Sequence, residues 1–326
     1  MDIQYLLLLQ DFRNNINDAL TPFMEWVSMF ATTYLILLPV FYYWNRDKKS
    51  GLYTLVSYYF CMVMTPLIKL TACVYRPWIR DSRVLPAGDS ITTATGYSFP
   101  SGHTTTAAPL AGGTAVNAWK NPSTRWLSVI LVLFILTTGF SRNYLGVHTP
   151  QDVLTALLIS ALSLILTAKL FAYLDEHPEK EDTLLLGGFI FCWAAIVYIT
   201  FKPYPMDLTA EGNLIMDPQK MMNDGYGDLG KMIGFIIARY IEKTWIQFRP
   251  LKNSRESVVI CLLGLIPMIL LKSYLSPFMT SWLGSHWGKL FFSVIYTCYY
   301  IALFPFVLTW IEKRAANQTV SQSKTA

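Results

Sequence analysis

Charge is scarce in this chain. Asp, Glu, Lys and Arg make up only 14% of its 326 residues, against about a quarter in ordinary soluble domains. A surface that poor in charge does not suit a water-facing globule, and no nucleic-acid partner is expected. Cysteine is sparse too. Cys61, Cys73, Cys192, Cys261 and Cys298 all fall inside apolar stretches without metal-ligand spacing, so they read as small buried hydrophobes. No run of acidic residues resembles a magnesium site, and neither metal nor cofactor is expected. The first residues have no basic start and no small-residue cleavage pattern. Residues 1–20 instead mix Ile3, Tyr5, Leu6, Leu9 and Phe12 with Asp2, Gln10, Asp11 and Arg13, the pattern of a helix lying in a membrane interface.

What the chain has in quantity is apolar length. Hydrophobic residues make up 53% and aromatic residues 15%. A membrane span takes about 20 mostly apolar residues. Residues 22–44, 51–73, 126–140, 153–174, 183–201, 258–274 and 290–310 reach or approach that length. Residues 104–119 and 229–241 are weaker candidates rich in small residues, as suits helices packed inside a bundle. The expected fold is all-α, a polytopic helical membrane protein of at most nine spans. Residues 21–175 read as the core that carries every motif described below. Residues 176–312 read as further spans, the first of them completing a six-helix core, and residues 313–326 as a disordered cytoplasmic tail.

The basic residues cluster in alternate loops. Arg46, Lys48, Lys49, Lys120, Arg125, Lys169, Lys180, Arg239, Lys243, Arg249, Lys252 and Arg255 fall on one side, with Lys313, Arg314 and Lys324 in the tail. The positive-inside rule puts that side in the cytoplasm and the loops 77–101, 141–150 and 203–228 outside. The sequon Asn317-Gln318-Thr319 would then lie inside, away from any glycosylating machinery. Residues 175–182 read as a solvated charged turn in which His177 is incidental. Gly225-Tyr226-Gly227-Asp228-Leu229-Gly230 matches a dinucleotide fingerprint by letters, but no strand precedes it. Gly230 and Gly234 are better explained by close helix packing.

Three short runs carry chemistry: Lys69 through Pro77, Pro100-Ser101-Gly102-His103, and Ser141 through Asp152. Lys69 and Arg76 are seven apart, two turns of helix, so a continuous helix would place both on one side before Pro77 ends it. Pro100-Ser101-Gly102-His103 reads as a loop entering a helix. Ser101 would cap that helix, and its first amides would face an anion. Gly102 leaves room for a phosphate oxygen, and His103 stands beside it. Arg142 is suited to bidentate phosphate contact. His148 and Asp152 are one helical turn apart, with Pro150 opening the next helix. Asp152 would hold one imidazole nitrogen and leave the other free to attack.

These runs, in this order, resemble the tripartite signature of the type-2 phosphatidic acid phosphatase superfamily, which contains membrane lipid-phosphate phosphatases and soluble vanadium haloperoxidases. The resemblance implies that His148 is a nucleophile forming a phosphohistidine and that His103 is the general acid. It implies that Lys69, Arg76 and Arg142, with the Ser101 and Gly102 amides, hold the phosphoryl oxygens, and that Asp152 orients His148. The expected function is a metal-independent phosphatase of the cell membrane. Its site would face the extracytoplasmic side, and its partners would be membrane lipids and a lipid phosphate or diphosphate such as undecaprenyl diphosphate or a phosphatidate. A lipid-to-lipid phosphotransferase shares the phosphohistidine step. A transporter or lipid translocase would explain Lys69 but not the histidine motifs. A haloperoxidase is disfavoured by the membrane spans.

Overall fold

A chain in hydrocarbon must satisfy every backbone N–H and C=O within its own segment, which favours helices. The computed structural model describes residues 2–94, 96–209, 211–251 and 254–325, with side chains through Arg314. Among these residues the β pairing is confined to one isolated bridge, Leu208 to Leu214. The helices are α1 (Asp2–Asn15), α2 (Thr21–Thr33), α3 (Leu37–Asn45), α4 (Lys48–Ala72), α5 (Pro77–Arg80), α6 (Ser90–Thr93), α7 (Gly102–Trp119) and α8 (Arg125–Tyr144). They continue as α9 (Pro150–Glu176), α10 (Glu181–Phe201), α11 (Pro218–Ile241), α12 (Arg255–Leu270), α13 (Ser276–Leu283), α14 (Ser285–Cys298) and α15 (Phe304–Thr325). Short π-turns join α12 to α13 and α14 to α15.

Among the described residues, six helical segments are long and apolar enough to cross a membrane: Lys48–Arg80, Pro122–Tyr144, Pro150–Glu176, Pro178–Phe201, Arg255–Leu283 and Ser285–Arg314. The chain is a multi-pass membrane protein. Residues 22–44, expected as one span, form α2 and α3, which together are long and apolar enough for a seventh crossing but are bent by 41° between them. α7 and α11 are not apolar enough to qualify by composition, yet most of each is buried within the bundle. Their small residues explain why. A Cβ on Gly230 would meet the Leu290 carbonyl oxygen at 2.6 Å, and one on Gly234 would meet that of Val294 at 2.7 Å. α11 and α14 are therefore in backbone contact, which only glycine allows.

The two ends of the bundle have different chemistry. At one end Lys49 pairs with Asp175 at 2.5 Å, Lys243 with Asp182 at 2.6 Å and Arg239 with Glu181 at 2.7 Å. The fully buried Glu242 there accepts from Lys48 Nζ at 2.6 Å, from Arg239 Nη1 at 2.5 Å and from the Phe248 amide at 2.9 Å. The other end carries the motifs. There α1 lies over the segment 81–94. Arg13, 4% exposed, donates to the carbonyls of Tyr144 at 3.0 Å and Leu85 at 2.6 Å. The long polar loop is thus packed down, with Ala87 and Ala94 buried against Tyr144, Leu145 and Val147, and Val84 buried nearby. At the far terminus α15 is drawn through Thr325, where the sequence put a disordered tail from residue 313. The side chains of the sequon and of Lys324 lie outside the described residues, as does Lys252.

Candidate active site

α4 does not reach Arg76. It ends at Ala72, where Cys73 turns the chain in a left-handed conformation (φ 48°, ψ 37°). The residue before a proline is pushed out of helical geometry, and Arg76 is accordingly extended (φ −64°, ψ 153°) ahead of Pro77. Lys69 and Arg76 therefore do not share a helix face, contrary to their spacing. They reach the same cavity from different segments. Lys69 Nζ donates to the carbonyls of Tyr97, Ser98 and Pro100 at 3.0, 3.1 and 2.7 Å. All three of its protons hold the loop that leads into α7. Arg76 donates from Nε to Gly96 O and from Nη1 to Val147 O, both at 2.9 Å, and Nη1 stands 2.8 Å from His148 Nε2.

Ser101 occupies the residue before α7 but makes no capping bond with its side chain. Its hydroxyl instead accepts from Thr104 Oγ1 at 3.0 Å, and its amide donates to the Asp152 carbonyl at 3.1 Å. That amide is thereby committed to tying the second motif to the third. The Gly102 amide has no partner among the described residues, and a Cβ placed on Gly102 would meet nothing within 4 Å. His103, one residue further into α7, lines the same cavity.

Arg142 closes α8 and is 1% exposed. Its Nη1 donates to Ser28 Oγ at 2.7 Å, while Nε and Nη2 find no partner among the described residues. A buried donor left unmade costs about 1–3 kcal/mol, so an acceptor reaching Nε and Nη2 would stabilise the group. An anion is the natural one for a guanidinium.

His148 lies in the short connection between α8 and α9, one residue ahead of the helix cap. Thr149 and Asp152 form a reciprocal cap in which Thr149 N donates to Asp152 Oδ2 at 2.8 Å. The carboxylate so fixed sits 3.2 Å from His148 Nδ1. Ser98 Oγ donates to the same oxygen at 2.5 Å, and Asn143 Nδ2 holds the His148 carbonyl at 2.8 Å. With Asp152 accepting at Nδ1 and Arg76 donating at Nε2, the imidazole is neutral and protonated on Nδ1. Burial, and secondarily the charge of Arg76, hold His148 well below the ordinary histidine range, and Asp152 opposes them only in part.

Lys69, Arg76, Gly102, His103 and His148 line one cavity of about 450 Å³. Ser101, Arg142 and Asp152 are buried beside it, each 2% exposed or less. All eight residues singled out by sequence thus converge on one end of the bundle. Sequence reasoning missed Ser98, Asn143 and Arg13. It also missed the opposite wall of the cavity, which comes from Asp224, Asp228, Lys231, Lys272 and Lys289.

The profile of the PAP2 superfamily matches residues 49–176, which hold all three motifs. The chain belongs to the PAP2 superfamily. Undecaprenyl-diphosphatase BcrC of Bacillus subtilis is 31% identical over 150 residues, covering 46% of this chain and 72% of that protein. An undecaprenyl-diphosphatase of Sulfolobus acidocaldarius is 26% identical over 117 residues, 36% of this chain and 53% of its own. Lipid A 4'-phosphatase of Bacteroides thetaiotaomicron is 27% identical over 172 residues, 49% of this chain and 72% of that protein. No solved structure matches the chain.

Proposed function

We propose that this protein is an integral-membrane phosphatase that hydrolyses a lipid phosphate or diphosphate through a phosphohistidine. One observation carries the reading. His148 lines a cavity with Lys69, Arg76, Gly102 and His103, and its Nε2, the nitrogen not held by Asp152, is covered among the described residues only by the Arg76 guanidinium at 2.8 Å. Membership of a superfamily whose relatives are named lipid-linked diphosphatases and phosphatases supports the substrate class.

In the first step Nε2 attacks phosphorus and the bond from phosphorus to the lipid oxygen breaks. Burial and the neighbouring Arg142 hold His103 well below the ordinary histidine range, so it takes up a proton as the anionic phosphate arrives and gives that proton to the departing oxygen. The new charge on the phosphoryl oxygens falls to Arg76, Arg142 and the free amides at the start of α7, with Lys69 adding its field from the loop it holds. Asp152 stabilises the imidazole as it becomes positive. Water then attacks the phosphohistidine, His103 takes its proton, and phosphate leaves. The cations supply the charge neutralisation that a metal ion provides elsewhere, so hydrolysis is metal-independent. The site faces outward across the cell membrane, because the cluster of Arg46, Lys48, Lys49, Arg239 and Lys243 lies at the other end of the bundle.

The test is phosphate release from a panel of lipid mono- and diphosphates by the purified protein in detergent, with and without EDTA. Release that survives EDTA, is blocked by orthovanadate and is lost in His148→Ala is the expected result. Activity that EDTA abolishes and Mg²⁺ restores would overturn the mechanism.

A further inference from the structure

Half of the active cavity is built by residues outside the family match. α11 contributes Asp224, Asp228 and Lys231, α14 contributes Lys289, and the π-turn between α12 and α13 contributes Lys272. Four of these five charges are paired: Lys289 Nζ stands 2.6 Å from Asp224 Oδ1, and Lys231 Nζ 2.8 Å from Asp228 Oδ1. Lys272 makes no hydrogen bond or ion pair among the described residues. It lies within the span Arg255–Leu283, where an ionisable side chain is costly and marks function by default. Its backbone is the π-turn Leu271–Leu275, a widened helical form that recurs at functional sites. The charge this wall leaves unbalanced is therefore one cation. It looks into the cavity already furnished with Lys69 and Arg76.

We infer that Lys272, flanked by Lys231 and Lys289, forms a second phosphate-binding subsite, which holds a phosphate group other than the one transferred to His148. Ser276 and Ser293 add hydroxyl donors to the same wall. The inference rests on the phosphatase reading for its chemistry, and it deepens that reading by requiring two phosphates in one cavity. The second belongs either to the substrate itself, as in a lipid diphosphate, or to a second phospholipid that accepts the phosphoryl group.

Titration calorimetry on the full-length protein in detergent tests this with orthovanadate filling the pocket at His148. Inorganic phosphate should still bind to the vanadate-loaded wild type. Its affinity should fall at least tenfold in Lys272→Gln and return in Lys272→Arg, with all three proteins eluting as one species. No phosphate binding once vanadate is bound overturns the subsite, and so does binding that Lys272→Gln leaves unchanged. Methylenebisphosphonate separates the two sources. If it competes with vanadate and is itself weakened by Lys272→Gln, both subsites serve one diphosphate. If it is weakened by Lys272→Gln yet leaves vanadate in place, the second phosphate belongs to another molecule. Failure of the phosphatase reading has a different signature: no vanadate binding and no turnover, with phosphate binding still dependent on Lys272.

Discussion

Arg76 Nη1 stands 2.8 Å from His148 Nε2, so the guanidinium occupies the lone pair of the nitrogen proposed to attack. An arriving phosphoryl group offers Arg76 anionic oxygens in exchange for a neutral nitrogen, and a guanidinium can grip such oxygens with two parallel N–H bonds. Substrate binding would thus uncover its own nucleophile.

The same contact sets a pH dependence. As the proposed nucleophile His148 must be neutral, and burial with Arg76 holds it well below the usual histidine range. As pH falls, kcat/KM should persist through about 6.5, the ordinary histidine value, and decline only below it. In Arg76→Gln the repulsion is gone and protonation becomes easier, so the acid limb should move upward toward that value. A pH profile of residual kcat/KM reads the shift. An unmoved limb would mean that another group titrates.

Asp152 stands 3.2 Å from His148 Nδ1, and Ser98 Oγ donates to the same carboxylate oxygen at 2.5 Å. Asp152→Asn should lower kcat by about 10⁴-fold, the scale seen when an imidazole loses its carboxylate. A hydrogen bond to a charged group is worth about 1.5–3 kcal/mol, so Ser98→Ala should cost about 10–100-fold. Single-turnover phosphoenzyme formation separates these effects from product release.

Gly102 has open space where a side chain would stand. Gly102→Ala should therefore fold as the wild type does, with unfolding temperature unchanged in detergent, and yet bind vanadate at least about tenfold more weakly. The methyl group would meet the ligand rather than the protein. Equal vanadate affinity would remove the α7 terminus from the phosphate site.

Gly234 behaves in the opposite way, since its Cβ would strike the backbone of Val294. Overpacking typically costs about 1–3 kcal/mol, and Gly234→Ala should lower the unfolding temperature accordingly. Gly187, on α10, has nothing within 4 Å, and Gly187→Ala serves as the neutral control.

Sidedness is open to chemical labelling. Ser82 is exposed beside the site-bearing end and Ser254 is exposed near the basic end. In a background without native cysteines, a membrane-impermeant thiol reagent on intact cells should label Ser82→Cys and spare Ser254→Cys. The reverse pattern would move the substrate to the inner leaflet.

The spans were legible where lipid dictates composition. α8, α9 and α10 face hydrocarbon and read as continuous apolar runs. α7 and α11 face protein, so their sequences trade Leu for Gly, Ala and Thr, and hydropathy under-reads them. The eight candidate residues were legible as a group because cation, imidazole and carboxylate at fixed spacing suggest phosphate chemistry, and the fold brings them to one end of the bundle. Their geometry was less so. Spacing placed Lys69 and Arg76 on one helix, and the extended backbone that Pro77 imposes on Arg76 undid that. Ser98 carried no signal, because a serine in a polar loop looks like any other until the fold brings it to Asp152. Lys272 lay in an apolar run that resembled nothing beyond a span.

The burial of α7 bears on how this protein would respond to its membrane. The helix that starts at Gly102 and His103 is packed against α4, α8 and α9, with little surface left for acyl chains. Changes in bilayer thickness or fluidity press first on the outer helices. They reach His103 only after passing through a layer of protein, so the reacting groups are insulated from the solvent in which the whole molecule is dissolved.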